Sequence, residues 1–487
     1  MIERARPCKM ERASFPSLSL VSANRQMDES EQPLSEPVQA RGGLGHYWRK
    51  LTTGSATRQI FGAAVTVALL TALVKAVTVG RELIVAWRFG TSDALDAFLI
   101  ALLVPSFVIN VVAGSFNAAF IPTFITVRER EGDAAAQRLF SSVMLWSIAL
   151  LGATTLLMML GARLYLPLIA SGFSREKLEL TVRLQYVIAP VVMIGGVVII
   201  WGAVLNAGRR FALAALSPVL APLMGASFLL VFRSWGVYAL AAGLVCGAAL
   251  EMIVLGVALK RQGARLRPAW HEWDAHLRQV ARQYGPMIAG AFLMIGTNLV
   301  DQSMAAMLAP GSVAALNYGG RVIALPIGLA ATALGTAVTP YFSTMVAQRE
   351  WDALRHTLRR YLWLNFVVSV PLTVLLYLFS EPLVRLLFQR GSFTAADTYT
   401  VARVQAFYAL QLPFYIAGIL GVRLMSSLLM NNIIFRIAAF NFVADIILNA
   451  ILFRYMGVAG IALATSIVYF ISCLLVYFSL HRKERLL

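Results

Sequence analysis

The residues best equipped for chemistry in this chain stand where an apolar environment should exclude them. From Lys75 to Pro122 the sequence reads KAVTVGRELIVAWRFGTSDALDAFLIALLVPSFVINVVAGSFNAAFIP, which looks like two membrane helices joined by a tight turn. It nevertheless carries Lys75, Arg81, Glu82, Arg88, Asp93 and Asp96. Ionisable side chains at bilayer depth cost roughly 2.5–3.5 kcal/mol on insertion scales, so they persist where they face a wet interior. A polar cavity is implied, held in lipid and opened in turn to the two sides. Lys75 and Glu82 share one heptad spacing and Arg81 and Arg88 another, so two charged stripes rise along one helix. The competing reading is snorkelling, in which Arg88, and Arg81 with it, reaches the headgroups. Glu82 reads as a partner for a neighbouring cation. Asp93 and Asp96 open the next helix, where carboxylates meet the dipole and cap free N–H groups.

A second set consists of Asp301, Asn441, Asp445 and Thr465, each inside an apolar segment. Asn441 and Asp445 are i and i+4, hence on one helix face. Two carboxylates, an amide and a hydroxyl are hard oxygen donors, suited to a small hard cation such as Na+ or, with protonation, to a proton relay. The plainer alternative is that Asp301 and Asp445 pair with arginines such as Arg321.

The elements that must position these residues follow from composition. With 487 residues, 59% hydrophobic and 14% charged, the chain reads as a polytopic membrane protein. The formal charge of +18 does not point to nucleic acid, because the basic residues punctuate apolar runs and no recognition module is present. Cys8, Cys246 and Cys473 are odd in number and far apart, so neither a disulfide framework nor a zinc site is expected.

Counting ~20 apolar residues per span predicts about twelve transmembrane helices, an all-α integral membrane fold. Lys and Arg concentrate in alternate loops, as at Arg128, Arg130 and Arg138 and again at Arg349, Arg355, Arg359 and Arg360, which places both termini in the cytoplasm. Residues 1–55 lack a helical or strand period and read as a disordered cytoplasmic tail, with a misplaced start codon as the rival. Six-helix lobes are expected at 56–260 and 283–481, joined by an interfacial cytoplasmic linker at 261–282 and followed by a basic tail at 482–487. Trp270 and Trp273 among basic residues predict a short interfacial helix in that linker.

The halves repeat at an offset of about 220 residues. Pro122 aligns with Pro340, SGFS at Ser171 with GSFT at Gly391, and VFRSWGV at Val231 with LFRYMGV at Leu452. Parallel repeats of this kind place a substrate site between the halves. Pro105, Pro190, Pro218, Pro222, Pro286, Pro326 and Pro340 interrupt the spans and give them places to bend.

Four stretches, RELIVAWRFGTSDALDAF from Arg81, GSFNAAFIP from Gly114, LNYGGRVIALPIGL from Leu316 and LFQRGSFTAADT from Leu387, resemble the MviN/MurJ family of lipid II flippases. That family lies within the multidrug, oligosaccharidyl-lipid and polysaccharide exporter superfamily. The resemblance covers about residues 58–480. It implies a V-shaped cavity between two pseudo-symmetric lobes and translocation of an undecaprenyl-diphosphate-linked glycan across the bacterial inner membrane. It implies no covalent chemistry, and the chain has no phosphate-binding loop and no nucleophile–base pair. On this reading Lys75, Arg81 and Arg321 form a cationic diphosphate site, Asp96 contributes to substrate binding or gating, and Asp301, Asn441, Asp445 and Thr465 hold a coupling Na+ or H+. No organic cofactor is expected. The lipid-linked glycan and the membrane potential are the expected partners, and a monomer the expected state.

The departures are specific. Where the family shows Arg-x-x-Gly-x-x-Arg, this chain has Lys75, Thr78 and Arg81, and Lys75 lacks the planar fork that grips phosphate bidentately. Where lipid II flippases place an arginine in helix two, it has Ile109 and Asn110. Many members carry fourteen helices. A flippase for an exopolysaccharide or O-antigen unit is therefore the nearest alternative. A drug/cation antiporter would need an acidic, aromatic lining, and a glycosyltransferase or ligase would need a large outer loop or a metal motif.

Overall fold

A computed structural model describes residues 56–208, 211–264, 266–270 and 273–484; the expected tail at 1–55 and the last three residues lie outside that range. Among the described residues every regular element is helical. This is the economical solution for an apolar chain in lipid, because a helix satisfies its backbone polar groups within itself.

The first lobe comprises α1 (Ala56–Phe89), α2 (Asp93–Glu131), α3 (Asp133–Ile169), α4 (Arg175–Ile188), α5 (Pro190–Ala207), α6 (Phe211–Val231) and α7 (Val237–Arg261). The second comprises α8 (Ala275–Ala305), α9 (Ser312–Gln348), α10 (Trp351–Leu378), α11 (Ser380–Phe388), α12 (Ala395–Ser427), α13 (Asn431–Met456) and α14 (Val458–Glu484). Among the described residues ten helical stretches are long and apolar enough to cross a membrane. The other two expected spans fall on α1, 34 residues long, and α8, 31 residues long, both helical throughout. On α3, Leu157, Leu160, Leu164 and Leu168 form an exposed stripe at helical spacing. Such a stripe would be a liability in water and is a lipid-facing surface in a multi-pass membrane protein.

The three aligned motifs adopt the same local structure in both halves. Ser174, closing SGFS, caps α4 by accepting the Lys177 N–H at 3.2 Å; Thr394, closing GSFT, caps α12 in a capping box with Asp397. Gly236 and Gly457 precede α7 and α14 at φ 55°, ψ −132° and φ 60°, ψ −139°, a left-handed conformation that suits glycine. Pro122 and Pro340 both sit inside helices, and the hydroxyl four residues on, Thr126 or Thr344, donates to the carbonyl of each proline at 2.9 and 3.0 Å.

Prolines break some helices and not others. Pro190 separates α4 from α5, Pro218 sits in a 3-10 turn (Ser217–Val219) that interrupts α6, and Pro105 precedes a π turn (Ile109–Ala113) in α2. Pro286, Pro326 and Pro340 are carried within continuous helices.

The lobes meet along two lines. α8 packs on α13 in its own lobe and on α2 in the other, with Phe292 edge-on to Phe107 at 5.5 Å and Tyr284 against Phe116 at 5.3 Å. The Tyr284 hydroxyl donates to the Val112 carbonyl in the π turn at 3.1 Å. The second line is the end of the bundle where α1 turns into α2. The predicted interfacial helix in the linker is absent among its described residues. Gly263, at φ 81°, ends the α7 turn, Pro268 disfavours helix before it, and Asp274 starts α8 by accepting the Leu277 N–H at 2.7 Å. Trp270 and Trp273 instead lie against Trp146 of α3, each with ring centres 5.7 Å away.

Candidate functional site

At the second line of contact the lobes are shut by charge and backbone together. Asp96, in the first turn of α2, is 1% exposed, and its oxygens reach across to the start of α9. Oδ2 accepts the Gly311 N–H at 2.7 Å and Oδ1 the Ala314 N–H at 2.8 Å. A residue of one lobe therefore caps a helix of the other, which has only Gly311 at its own N-cap. Lys177, at the start of α4, is 8% exposed and bridges Asp96 Oδ2 at 2.8 Å and Asp93 Oδ1 at 2.5 Å. Nearby, the Thr91 hydroxyl donates to Asp397, and the Ser392 N–H donates to the Trp87 carbonyl at 2.8 Å. Gly311 and Gly391 allow this approach: both have positive φ, and a side chain on either would collide with the carbonyl of Thr91 or Trp87.

Asp96, expected to contribute to substrate binding or gating, is placed at the contact between the lobes. Both of its oxygens are engaged by protein donors, so it serves the closed seam. Asp93 has the same partner, Lys177, which the sequence reading passed over because a lysine just after a helix start resembles a solvated residue. Arg88 turns to the carbonyl of Arg233 in the loop between α6 and α7.

Two of the three expected cations converge. Arg81 of α1 is 15% exposed and pairs with Glu82 at 2.8 Å, while Arg321 of α9, 50% exposed, approaches the same Glu82 oxygen at 3.7 Å. Glu82 thus stands between guanidinium groups of opposite lobes. The Arg81 side chain lies along Gly225 of α6, and its Nε has no hydrogen-bond partner. Lys75 is exposed, lies about 9 Å further down α1, and makes no ion pair among the described residues.

The acidic set assembles within the second lobe. Buried Asp301 of α8 accepts the Asn449 amide at 2.7 Å and the Thr465 hydroxyl at 3.4 Å, from α13 and α14. Asp445 lies within hydrogen-bonding reach of Asp301. Asn441 does not donate to Asp301; its amide nitrogen bonds Ser472 at 2.8 Å, and Asn449, missed in the sequence, takes that place. The signal was present, since Asn449 stands four residues beyond Asp445 as Asn441 stands four before it. Neither Asp301 nor Asp445 pairs with a cation among the described residues, which removes the ion-pair alternative, and Arg321 is engaged by Glu82. Asp445 Oδ2, Asn449 Oδ1 and Asn441 Oδ1 are buried oxygens without partners. Orphaned hard acceptors beside two carboxylates are the chemistry a small cation or a shared proton satisfies.

The fold is shared with a solved lipid II flippase MurJ in an inward closed conformation, at TM-score 0.75 and 23% identity over 86% of this chain and 87% of that one. It is also shared with an inward-facing multidrug resistance MATE family transporter of the MOP superfamily, at TM-score 0.73 and 15% identity over 86% and 98%. A probable lipid II flippase MurJ from Synechocystis is 26% identical over 88% of this chain and 83% of its own length. A lipid II flippase MurJ from Burkholderia cenocepacia is 27% identical over 75% and 72%. The family model described as lipid II flippase MurJ matches residues 85–487, and the chain accordingly belongs to the MurJ family.

Proposed function

We propose that this protein moves a lipid II-type, undecaprenyl-diphosphate-linked glycan from the cytoplasmic to the outer leaflet of the bacterial inner membrane by alternating access. The observation that carries the reading is the meeting of Arg81 and Arg321, from opposite lobes, on Glu82. A diphosphate arriving there is a stronger and more highly charged acceptor than one carboxylate and suits the fork of two guanidinium groups. The protein is a transporter, and its work is differential binding between conformations rather than bond chemistry.

With both termini in the cytoplasm, as the Lys and Arg bias of the loops predicts, the shut seam around Asp96 lies on the outer side. The conformation is then the one that loads from the cytoplasm. Outward movement of an anion across a membrane negative inside is favoured by about 2.3 kcal/mol per charge per 100 mV. A Na+ or a proton held by Asp301, Asp445, Asn449 and Thr465 would favour one conformation of the empty carrier and so reset it.

One observation favours a different glycan on the same carrier. Asn110 spends its amide on the Ser106 carbonyl of its own helix at 2.8 Å, so this depth of α2 presents no positive charge. Complementation of a conditional lipid II flippase mutant separates the two. Growth under restriction is the expected result; no growth by a well-expressed, membrane-inserted protein would assign it to another lipid-linked glycan.

A further inference from the structure

Glu251 stands near the middle of α7, a membrane-spanning helix, and takes no part in the sites above. It is 8% exposed and accepts the Ser217 hydroxyl on Oε1 at 2.9 Å. No cation lies within ion-pair distance of it among the described residues. The surrounding elements explain why. α5 and the described part of α6 contain no ionisable residue at all. The charged groups of α4 (Arg175, Glu176, Lys177, Glu179 and Arg183), those in the first turn of α2 (Asp93 and Asp96) and Arg233 of the α6–α7 loop gather at the seam end, while Arg128, Glu129, Arg130 and Glu131 sit at the opposite end of α2. Glu251 is roughly 20 Å along α7 from the seam end. On α7 itself, Lys260 and Arg261 lie more than two turns away, toward the other end. Tyr238 is near the seam, and Cys246 is exposed. Lys75, Arg81 and Glu82 are on α1, across α6. An ionisable group inside a membrane bundle without a counter-ion marks a functional position, because a lone buried charge is costly and a bound proton removes it.

The partner of Glu251 is equally telling. Ser217 opens the 3-10 turn at which α6 is broken, next to Pro218, and α1 packs across that break and both halves of α6. Arg81 itself rests on Gly225, beyond the break on the same helix. The state of one carboxyl therefore bears on the bend beneath the helix that carries the diphosphate cations.

We propose that Glu251 is a proton-binding site of the first lobe, separate from the acidic set of the second, and that its loading adjusts the α6 break and with it the position of α1. A carboxylate accepts the Ser217 hydroxyl strongly and holds the break to α7; the neutral acid accepts it weakly and releases it. One carboxyl and one hydroxyl supply too few oxygens for a metal cation, so the ligand is a proton. The coupling to α1 rests on the transport reading, whereas proton binding at Glu251 does not.

Two measurements on the full chain keep these apart. In vesicles at fixed potential, wild-type flipping of a lipid-linked diphosphate should change severalfold between mildly acidic and mildly alkaline buffer. Glu251→Gln should still flip but with a flattened pH response. A Glu251→Gln profile that follows the wild type overturns the coupling. Independently of any substrate, dicyclohexylcarbodiimide, which adds to protonated carboxyls in apolar surroundings, should modify Glu251 in acidic buffer and lose that reaction in alkaline buffer, read by mass spectrometry of the peptide. Modification that does not vary with pH, or none at Glu251 while Asp301 or Asp445 reacts, overturns the site. Wild-type protein that fails to flip would refute the transport reading, and the labelling would then decide Glu251 alone.

Discussion

The seam around Asp96 and the acidic set around Asp301 are both buried and polar, yet they differ in one respect. At Asp96 and Lys177 the donors and acceptors match, although the Ser92 hydroxyl that opens the same helix has no partner: Asp96 takes two backbone N–H groups and an ammonium, and Lys177 takes two carboxylates. In the acidic set acceptors outnumber donors, and Asp445 Oδ2 and Asn449 Oδ1 are left without partners. A saturated cluster holds one conformation, because any other arrangement must leave some of its groups unpaired. An unsaturated cluster stores no such preference until a ligand completes it. The same residue type, a buried aspartate, is thus fully paired in one place and stands among orphaned acceptors in the other.

The largest effect is expected from unpairing the groups around Asp96. Asp96→Ala would leave the start of α9 uncapped and Lys177 with only the partly exposed Asp93, and removing one partner of a buried pair costs about 3–5 kcal/mol. The expected outcome is loss of the closed state, read as accessibility of a cysteine introduced at Thr91 to a polar thiol reagent. Lys177→Met placed on top should recover part of the loss, and full additivity of the two changes would show that they do not form one latch.

A smaller effect is expected in the acidic set, where the two amides have different partners. Asp445→Asn should slow turnover and weaken any sodium dependence without abolishing substrate binding, since the Arg81–Arg321 site is separate from it. Asn449→Ala should act in the same direction, while Asn441→Ala, which loses a bond to Ser472, should act less. Transport with the potential and the sodium gradient imposed independently checks this; indifference of Asp445→Asn to both would return that aspartate to a structural role.

The helical membrane class and the internal repeat were readable because they are written in local patterns: apolar length, cap residues and glycines with positive φ. Asp301, Asp445 and Thr465 were readable as charge or polarity at bilayer depth. Lys177 and the hydrogen bonds Asp96 makes to the other lobe were not, since the contact joins residues 215 positions apart and depends on where α9 begins. Asn449 was missed although its spacing from Asp445 was the one already used for Asn441. The linker misled because Trp among basic residues suits an interfacial helix, whereas here the rings find Trp146. Glu251 stood in plain view as an acid in an apolar run; what the sequence could not show was that no cation among the described residues pairs with it.

The proposed transport depends on one step, the bridging of Arg81 and Arg321 by a diphosphate on its way across the membrane. It is tested by flipping of a labelled lipid-linked diphosphate glycan in vesicles containing the purified full chain, comparing wild type with Arg81→Ala, Arg321→Ala and the corresponding Lys variants. The account predicts flipping by the wild type, none by either Ala variant at equal insertion, and partial activity with Lys, which keeps the charge but loses the bidentate fork. Wild-type rates in both Ala variants would contradict it.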